Sequence, residues 1–155
     1  MATTIWIDGD GCPGDVKDIV FRASARLQIP VCLVANAQVW TPPSPLVSSV
    51  CVAQGADAAD NYIAQSASAD DIVITADIPL AAAVVEKGAV AIDPRGDLYT
   101  EDNVRERLSM RDFMQTLRGG GVVVGGPHPL ASADKQRFAA TLDRLLTQIS
   151  RDSVQ

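Results

Sequence analysis

The chain has 155 residues, 47% of them hydrophobic, with 19 acidic against 13 basic side chains and a formal net charge of −6. That length suits one domain with its own core, and the acidic balance excludes a protein that coats nucleic acid by bulk charge, although an enzyme with a local basic rim stays open. The N-terminus lacks a basic segment followed by a long apolar one, and no apolar run approaches the ~20 residues of a membrane span, so a cytoplasmic protein with no membrane partner is expected.

Residues 3–7 are a short apolar, β-branched stretch and predict a first strand, which stops at Asp8-Gly9-Asp10-Gly11-Cys12-Pro13. Val16, Ile19, Val20, Ala23 and Leu27 then fall at helical spacing, closed by Pro30. Residues 31–34 predict a second, buried strand, the Pro-rich stretch 40–45 a loop, and residues 47–52 a third strand. Gly55 leads into a short helix carrying Asp57 and Asp60, which residues 66–70 break. Residues 72–75 predict a fourth strand ending at Ala76-Asp77, with Pro79 in the first turn of the next helix and Gly88 just past its end. A fifth strand, 89–92, runs into Asp93-Pro94-Arg95-Gly96. This alternation of strand and helix predicts an α/β fold with a mostly parallel sheet.

Beyond the fifth strand the pattern turns helical. Thr100 can cap a helix through about Leu108, and Ser109-Met110-Arg111-Asp112 matches a capping box that would start another, ended by Gly119. Residues 119–127 hold five glycines and predict a loop, and Phe138, Leu142, Leu145, Leu146 and Ile149 mark an amphipathic last helix. The organisation expected is one domain over 1–155, with a sheet core in 1–97 and a helical C-terminal part in 98–155.

Ligands of open α/β sheets bind beyond the carboxyl ends of the strands, near the point where strand order reverses. Asp8 and Asp10 follow the first strand, Asp77 the fourth and Asp93 the fifth, while Asp57 and Asp60 open a helix that leaves the end of the third. Two carboxylates ~4 Å apart repel by about 4 kcal/mol at an effective dielectric of ~20, so such a cluster takes up protons or binds a cation. All-oxygen donors select Mg²⁺, Mn²⁺ or Ca²⁺ over zinc, and His128, the single histidine, cannot build a zinc site. Asp15 and Asp71 read instead as caps or turn formers. Gly9 and Gly11 would let backbone approach a ligand closely. The three cysteines lack CxxC spacing; Cys12 starts a helix, where the dipole lowers a thiol pKa, and Cys32 and Cys51 read as strand residues of the core.

Several stretches resemble the YaiI/YqxD family of bacterial proteins: Ile7-Asp8-Gly9-Asp10-Gly11-Cys12-Pro13, Val34-Ala35-Asn36, Gly55-Ala56-Asp57-Ala58-Ala59-Asp60, Ile74-Thr75-Ala76-Asp77-Ile78-Pro79-Leu80-Ala81, Pro94-Arg95-Gly96 and Met110-Arg111-Asp112-Phe113. They cover most of the chain in one order. The family usually carries alanine where this chain has Gly9 and Gly11, and commonly asparagine at Asp93. It is similar to PIN-like nuclease domains, which implies a three-layer fold with a five-stranded sheet in the order 3-2-1-4-5. The resemblance also implies Mg²⁺ or Mn²⁺ held by Asp8, Asp60 and Asp77.

The function expected from residues and resemblance together is metal-dependent hydrolysis of RNA or another nucleic acid. Asp8, Asp60 and Asp77 would hold the metal, and Asp10 would orient the attacking water or bind a second ion. Asn36 and Thr75 could contact phosphate, and Arg95 and Arg111 could steady the scissile or flanking group. One alternative is a haloacid-dehalogenase-like phosphatase with Asp8 as nucleophile, Asp10 as acid, Thr75 as second motif and Lys87 as the single candidate for its lysine. Another is a non-enzymatic module that keeps the acidic pocket for a metal or small ligand. The oligomeric state is not legible.

Overall fold

β-Branched and aliphatic runs form the strands, and the inner ones are shielded on both faces, as parallel sheet requires. In the computed structural model, which describes residues 3–53, 55, 58–119 and 130–154, the strands are β1 Ile5–Asp8, β2 Val31–Ala35, β3 Val47–Cys51, β4 Ile72–Ile74, β5 Val90–Ile92 and β6 Leu98–Tyr99. The helices are α1 Gly14–Leu27, α2 Ala58–Ser66, α3 Ile78–Glu86, α4 Glu101–Gly119 and α5 Ser132–Val154. The sheet order is β3-β2-β1-β4-β5-β6, with β1 to β5 parallel and β6 antiparallel to β5. Strand order reverses at β1, whose neighbours are β2 and β4.

Side chains alternate across the sheet, which splits the core into two layers. Ile5, Ile7, Leu33, Ile72 and Ile74 face α1 and α5, meeting Val16, Val20, Phe138, Leu142 and Leu146. Cys32, Val34, Val73 and Ala91 face the other helices, meeting Ile63 of α2, Leu80, Ala81 and Val84 of α3 and Val104 of α4. The arrangement is helices, sheet, helices.

Two sequence expectations change. The sheet has a sixth strand, because the turn after β5 folds the chain straight back: Gly96 N–H donates to Asp93 O, and Asp93 N–H to Asp97 O, at 2.8 Å each. The C-terminal part also supplies β6, and its helix α5 inserts Phe138, Leu142 and Leu146 into the sheet core. Finally, residues 101–119 form one helix, not two. Its start is reciprocal: Thr100 Oγ1 accepts from Asn103 N–H at 3.1 Å, and Asn103 Oδ1 accepts from Thr100 N–H at 2.8 Å. The Ser109 pattern starts nothing, because no Gly or Pro between residues 101 and 118 stops the helix already running through it. The expected glycine-rich loop, Asp57 and His128 lie outside the described residues. Among the described residues no helix is long and apolar enough to cross a membrane.

Candidate functional site

β1 delivers Asp8 to the carboxyl edge of the sheet where β2 and β4 flank it. Register places Ile7 opposite Ile74, so the next residues, Asp8 and Thr75, stand side by side. The Thr75 hydroxyl donates to Asp8 Oδ2 at 3.0 Å, and the Asp10 backbone N–H also bonds the Asp8 carboxylate. Asp8 is only 8% exposed. Burial pushes its carboxyl up from the ordinary range; the Thr75 bond opposes this, and the nearby charges of Asp77 and Asp10 push it up further. Three carboxylates thus share an electrostatic neighbourhood at the strand-order switch.

The neighbours of Asp8 are each held by local chemistry. Asp10 is exposed, and its two carboxylate oxygens accept from Asn36 N–H at 3.2 and 3.0 Å, which ties the loop after β1 to the end of β2. Asn36 Oδ1 is buried without a hydrogen-bond partner among the described residues. Asp77 caps α3, accepting from Leu80 N–H at 2.8 Å, while its own N–H donates to Thr75 Oγ1 at 2.9 Å. Thr75 therefore couples Asp8 to the start of α3. It is 1% exposed, so it sits behind Asp8 and not on the surface where a phosphate would bind.

Asp60, in the first turn of α2, and Asp77 line a cavity of about 370 Å³ together with Asn61, Leu80 and Arg111. The structure therefore gathers Asp60, Asp77 and Arg111 at one cavity, and Asp8 and Asp10 beside Asp77. Arg95 goes elsewhere. Its guanidinium pairs with Asp134 of α5 at 2.8 Å.

Asp93 is bonded into a scaffold that sequence reading missed. Tyr99, 4% exposed, directs its hydroxyl at Asp93 Oδ2 (3.2 Å) and Thr75 O (3.3 Å), and Arg107 lies over the Tyr99 ring at 4.7 Å. Burial, then the Asp93 charge, pushes the Tyr99 hydroxyl up, with Arg107 opposing. A two-residue strand carries no periodic signal, so neither Tyr99 nor its link to Thr75 was readable.

Other expectations sort themselves by geometry. Asp71 is structural, accepting from Thr4 N–H, Trp6 Nε1–H and Ser68 N–H, and exposed Asp15 pairs with Lys135. Cys12 is buried, and desolvation pushes its thiol up to about 12, which overrides any helix-dipole effect. Cys32 is buried in the core as expected, whereas Cys51 is exposed, because β3 is the sheet edge. Gly9 serves packing: a Cβ there would stand 2.7 Å from Leu33 Cδ2 and 3.1 Å from Val34 O. A Cβ on Gly11 would meet Asp8 Oδ2 at an ordinary 3.9 Å.

The oxygen donors fit a hard divalent cation, and Mg²⁺ characteristically takes one or two carboxylates and keeps several waters. Among the described residues no three His, Cys, Asp or Glu side chains stand close enough to cage an ion. An ion held at this edge would therefore rest on one or two carboxylates and keep several waters, with no closed protein cage among the described residues.

Fold and site together define an open α/β domain with an acidic crevice at its switch point. The profile of the uncharacterised YaiI/YqxD family matches residues 6–148, and the chain belongs to that family. It is similar to the UPF0178 protein of Trichlorobacter lovleyi, 61% identical over 150 residues and 97% of both chains. It is 60% identical over 148 residues to the UPF0178 protein of Geobacter metallireducens, covering 96% of both. The UPF0178 protein of Shewanella amazonensis is 54% identical over 147 residues, 95% of this chain and 99% of that one. No solved structure matches the chain significantly.

Proposed function

We propose that the crevice hydrolyses phosphodiester bonds with a divalent cation, and that RNA is its substrate class. The observation that carries this is Asp8: a carboxylate held nearly buried beside two others, at the edge where open α/β sheets act, next to a cavity that also presents an arginine. Asp8 and Asp77 hold the ion, with Asp60 completing the set that the PIN-like resemblance implies. A bound Mg²⁺ or Mn²⁺ would polarise the phosphoryl oxygen and acidify an attacking water. Thr75 fixes the Asp8 carboxylate, which spares the ion the cost of ordering it. Asp10 uses its remaining lone pairs to accept a proton from the water. Arg111 meets the phosphate, since Arg95 is engaged by Asp134. The same reading locates the protein in the cytoplasm with its substrate.

The phosphatase alternative needs a lysine at Asp8. Lys87 follows the far end of α3 from Asp77 and donates to Ala64 O at 2.9 Å, so that alternative lacks its cation. A binding module is the second reading. It is favoured by the hydrogen bonds that already engage Asp8, Asp10 and Asp77, and by the missing three-carboxylate cage among the described residues.

Cleavage of single-stranded RNA with Mn²⁺ or Mg²⁺ separates the two. The nuclease reading expects slow cleavage by the native chain and none by Asp8→Asn prepared identically. Cleavage that persists in Asp8→Asn belongs to a contaminant, and metal binding without turnover leaves the binding module.

A further inference from the structure

Of the stretch Met110-Arg111-Asp112-Phe113, Arg111 alone lines the acidic cavity. Helical spacing explains the split. Val104, Leu108 and Arg111 fall at i, i+4 and i+7 on the inward face, where Val104 is buried and Leu108 packs against the α2–α3 layer. Met110, Phe113 and Leu117 fall at i, i+3 and i+7 on the opposite face, with Glu106 one turn before them. Met110 is 59% and Phe113 58% exposed. A surface helix normally turns its apolar stripe to the core, so a second stripe facing outward marks an interaction surface.

The shape of that surface points to a helix as its occupant. Met110 and Phe113 line an open depression of about 480 Å³ with Arg105, Glu106 and Ser109. Glu106, Ser109, Met110 and Phe113 stand at i, i+3, i+4 and i+7, the four-residue hole that receives a side chain of a facing helix in knobs-into-holes packing. Glu106, Met110, Phe113 and Leu117 follow one another at steps of four, three and four, the spacing that supplies such knobs. One face of α4 therefore carries both hole and knobs, the self-complementarity that a twofold contact needs.

Charge agrees and fixes the orientation. With one arginine and one glutamate, the depression attracts neither an anionic nor a cationic chain. A parallel copy of α4 would set the two Glu106 carboxylates side by side in the seam, whereas an antiparallel copy sends them to opposite ends. Arg105 and Asp112, both exposed, stand seven residues apart on one flank of the stripe. An antiparallel copy runs each arginine along the flank that carries the other's aspartate, where interhelical ion pairs form. Within the chain Asp112 meets Arg111 at 3.9 Å, an exposed pair worth little.

We infer that the outward face of α4 pairs antiparallel with the same face of a second copy of this chain, Met110 and Phe113 of each lying over the other's depression. The contact does not depend on what the crevice does, and it leaves Arg111 at its cavity. About three turns of helix cover less than the ~800 Å² per partner of a standard interface, so the dimer should be weak and grow with concentration.

Sedimentation equilibrium of the native chain from about 10 μM to about 1 mM reads the association. A monomer–dimer equilibrium is expected, weakened about tenfold or more by Phe113→Ala. Arg105→Asp and Asp112→Arg should each weaken it by setting like charges together, and both changes in one chain should restore it. All three side chains are exposed, so the dilute variants should keep the native melting temperature. The charge reversals probe the seam without touching its apolar stripe, so they decide the matter even where Phe113→Ala fails to fold. A chain that stays monomeric at about 1 mM overturns the inference, as does a dimer indifferent to Phe113→Ala. A doubly reversed chain that associates no better than the single variants overturns it too, because the copies then meet in another arrangement.

Discussion

Asp8 carries the sharpest consequence at the scale of single residues. Its carboxyl is pushed up by burial first, and by Asp77 and Asp10 after that, against the Thr75 bond. Between the ordinary carboxylate pKa and this raised one the folded state holds more protons than the unfolded, so stability falls as pH rises through that window and stays reduced above it. Without metal, Asp8→Asn should therefore stabilise the fold at pH 7 by about 0.5–2 kcal/mol, or about 2–4 °C in Tm for each kcal/mol in a chain of this size. The amide oxygen still accepts from Thr75. The gain should vanish as the pH drops below the carboxyl range, and thermal melts of both proteins across pH would show it. A variant less stable than the native chain at pH 7 would mean that the charge on Asp8 is stabilising.

Asp8 and Asp77 were legible as candidates because each directly follows an apolar strand, and a carboxylate at a strand's carboxyl end has few bland explanations. The roles of Thr75, Asn36 and Arg95 were not legible. Each is decided by a partner distant in sequence: Asp8 for Thr75, Asp10 for Asn36 and Asp134 for Arg95. Asp77 has a structural role of its own, since its Oδ1 accepts from Leu80 N–H and caps α3.

At the scale of elements, the turn between β5 and β6 is the hinge point of the C-terminal half. Gly96 has φ of 95°, and a Cβ there would stand 2.6 Å from Phe138 N and 2.7 Å from Arg137 C, both backbone atoms of α5. The Thr141 hydroxyl also donates to Gly96 O at 2.9 Å. Gly96→Ala should cost at least ~2 kcal/mol, combining left-handed strain with an unyielding contact. Urea unfolding should show a lowered midpoint, and an unchanged midpoint would mean that α5 does not dock on this turn. The Pro94-Arg95-Gly96 motif reads in sequence only as a turn; its packing against a helix some 40 residues later leaves no local trace. Element type was otherwise readable from periodicity alone. Two exceptions, β6 and the undivided α4, mark its limits: a strand of two residues shows no alternation, and a capping pattern signals a start only where the chain before it is not already helical.

At the scale of the whole molecule, the adjacency of β1 and β4 assembles everything described above. Periodicity could establish the strands but not their order, since a parallel strand can insert on either side of its predecessors. That order came from the family resemblance, and the sheet has it. The two-layer core then leaves the switch point open, with Asp8 and Asp10 at the end of β1, Asp77 at the start of α3, and Asp60 and Arg111 closing the cavity from α2 and α4. The central claim is that this crevice holds a divalent cation. A crystal soaked in Mn²⁺ tests it most directly through anomalous scattering. A manganese peak bonded to Asp8 and Asp77 and completed by waters is expected, with no such peak in a crystal of Asp8→Asn. A crevice without manganese at millimolar soak, or an ion bound only at other carboxylates, would contradict it.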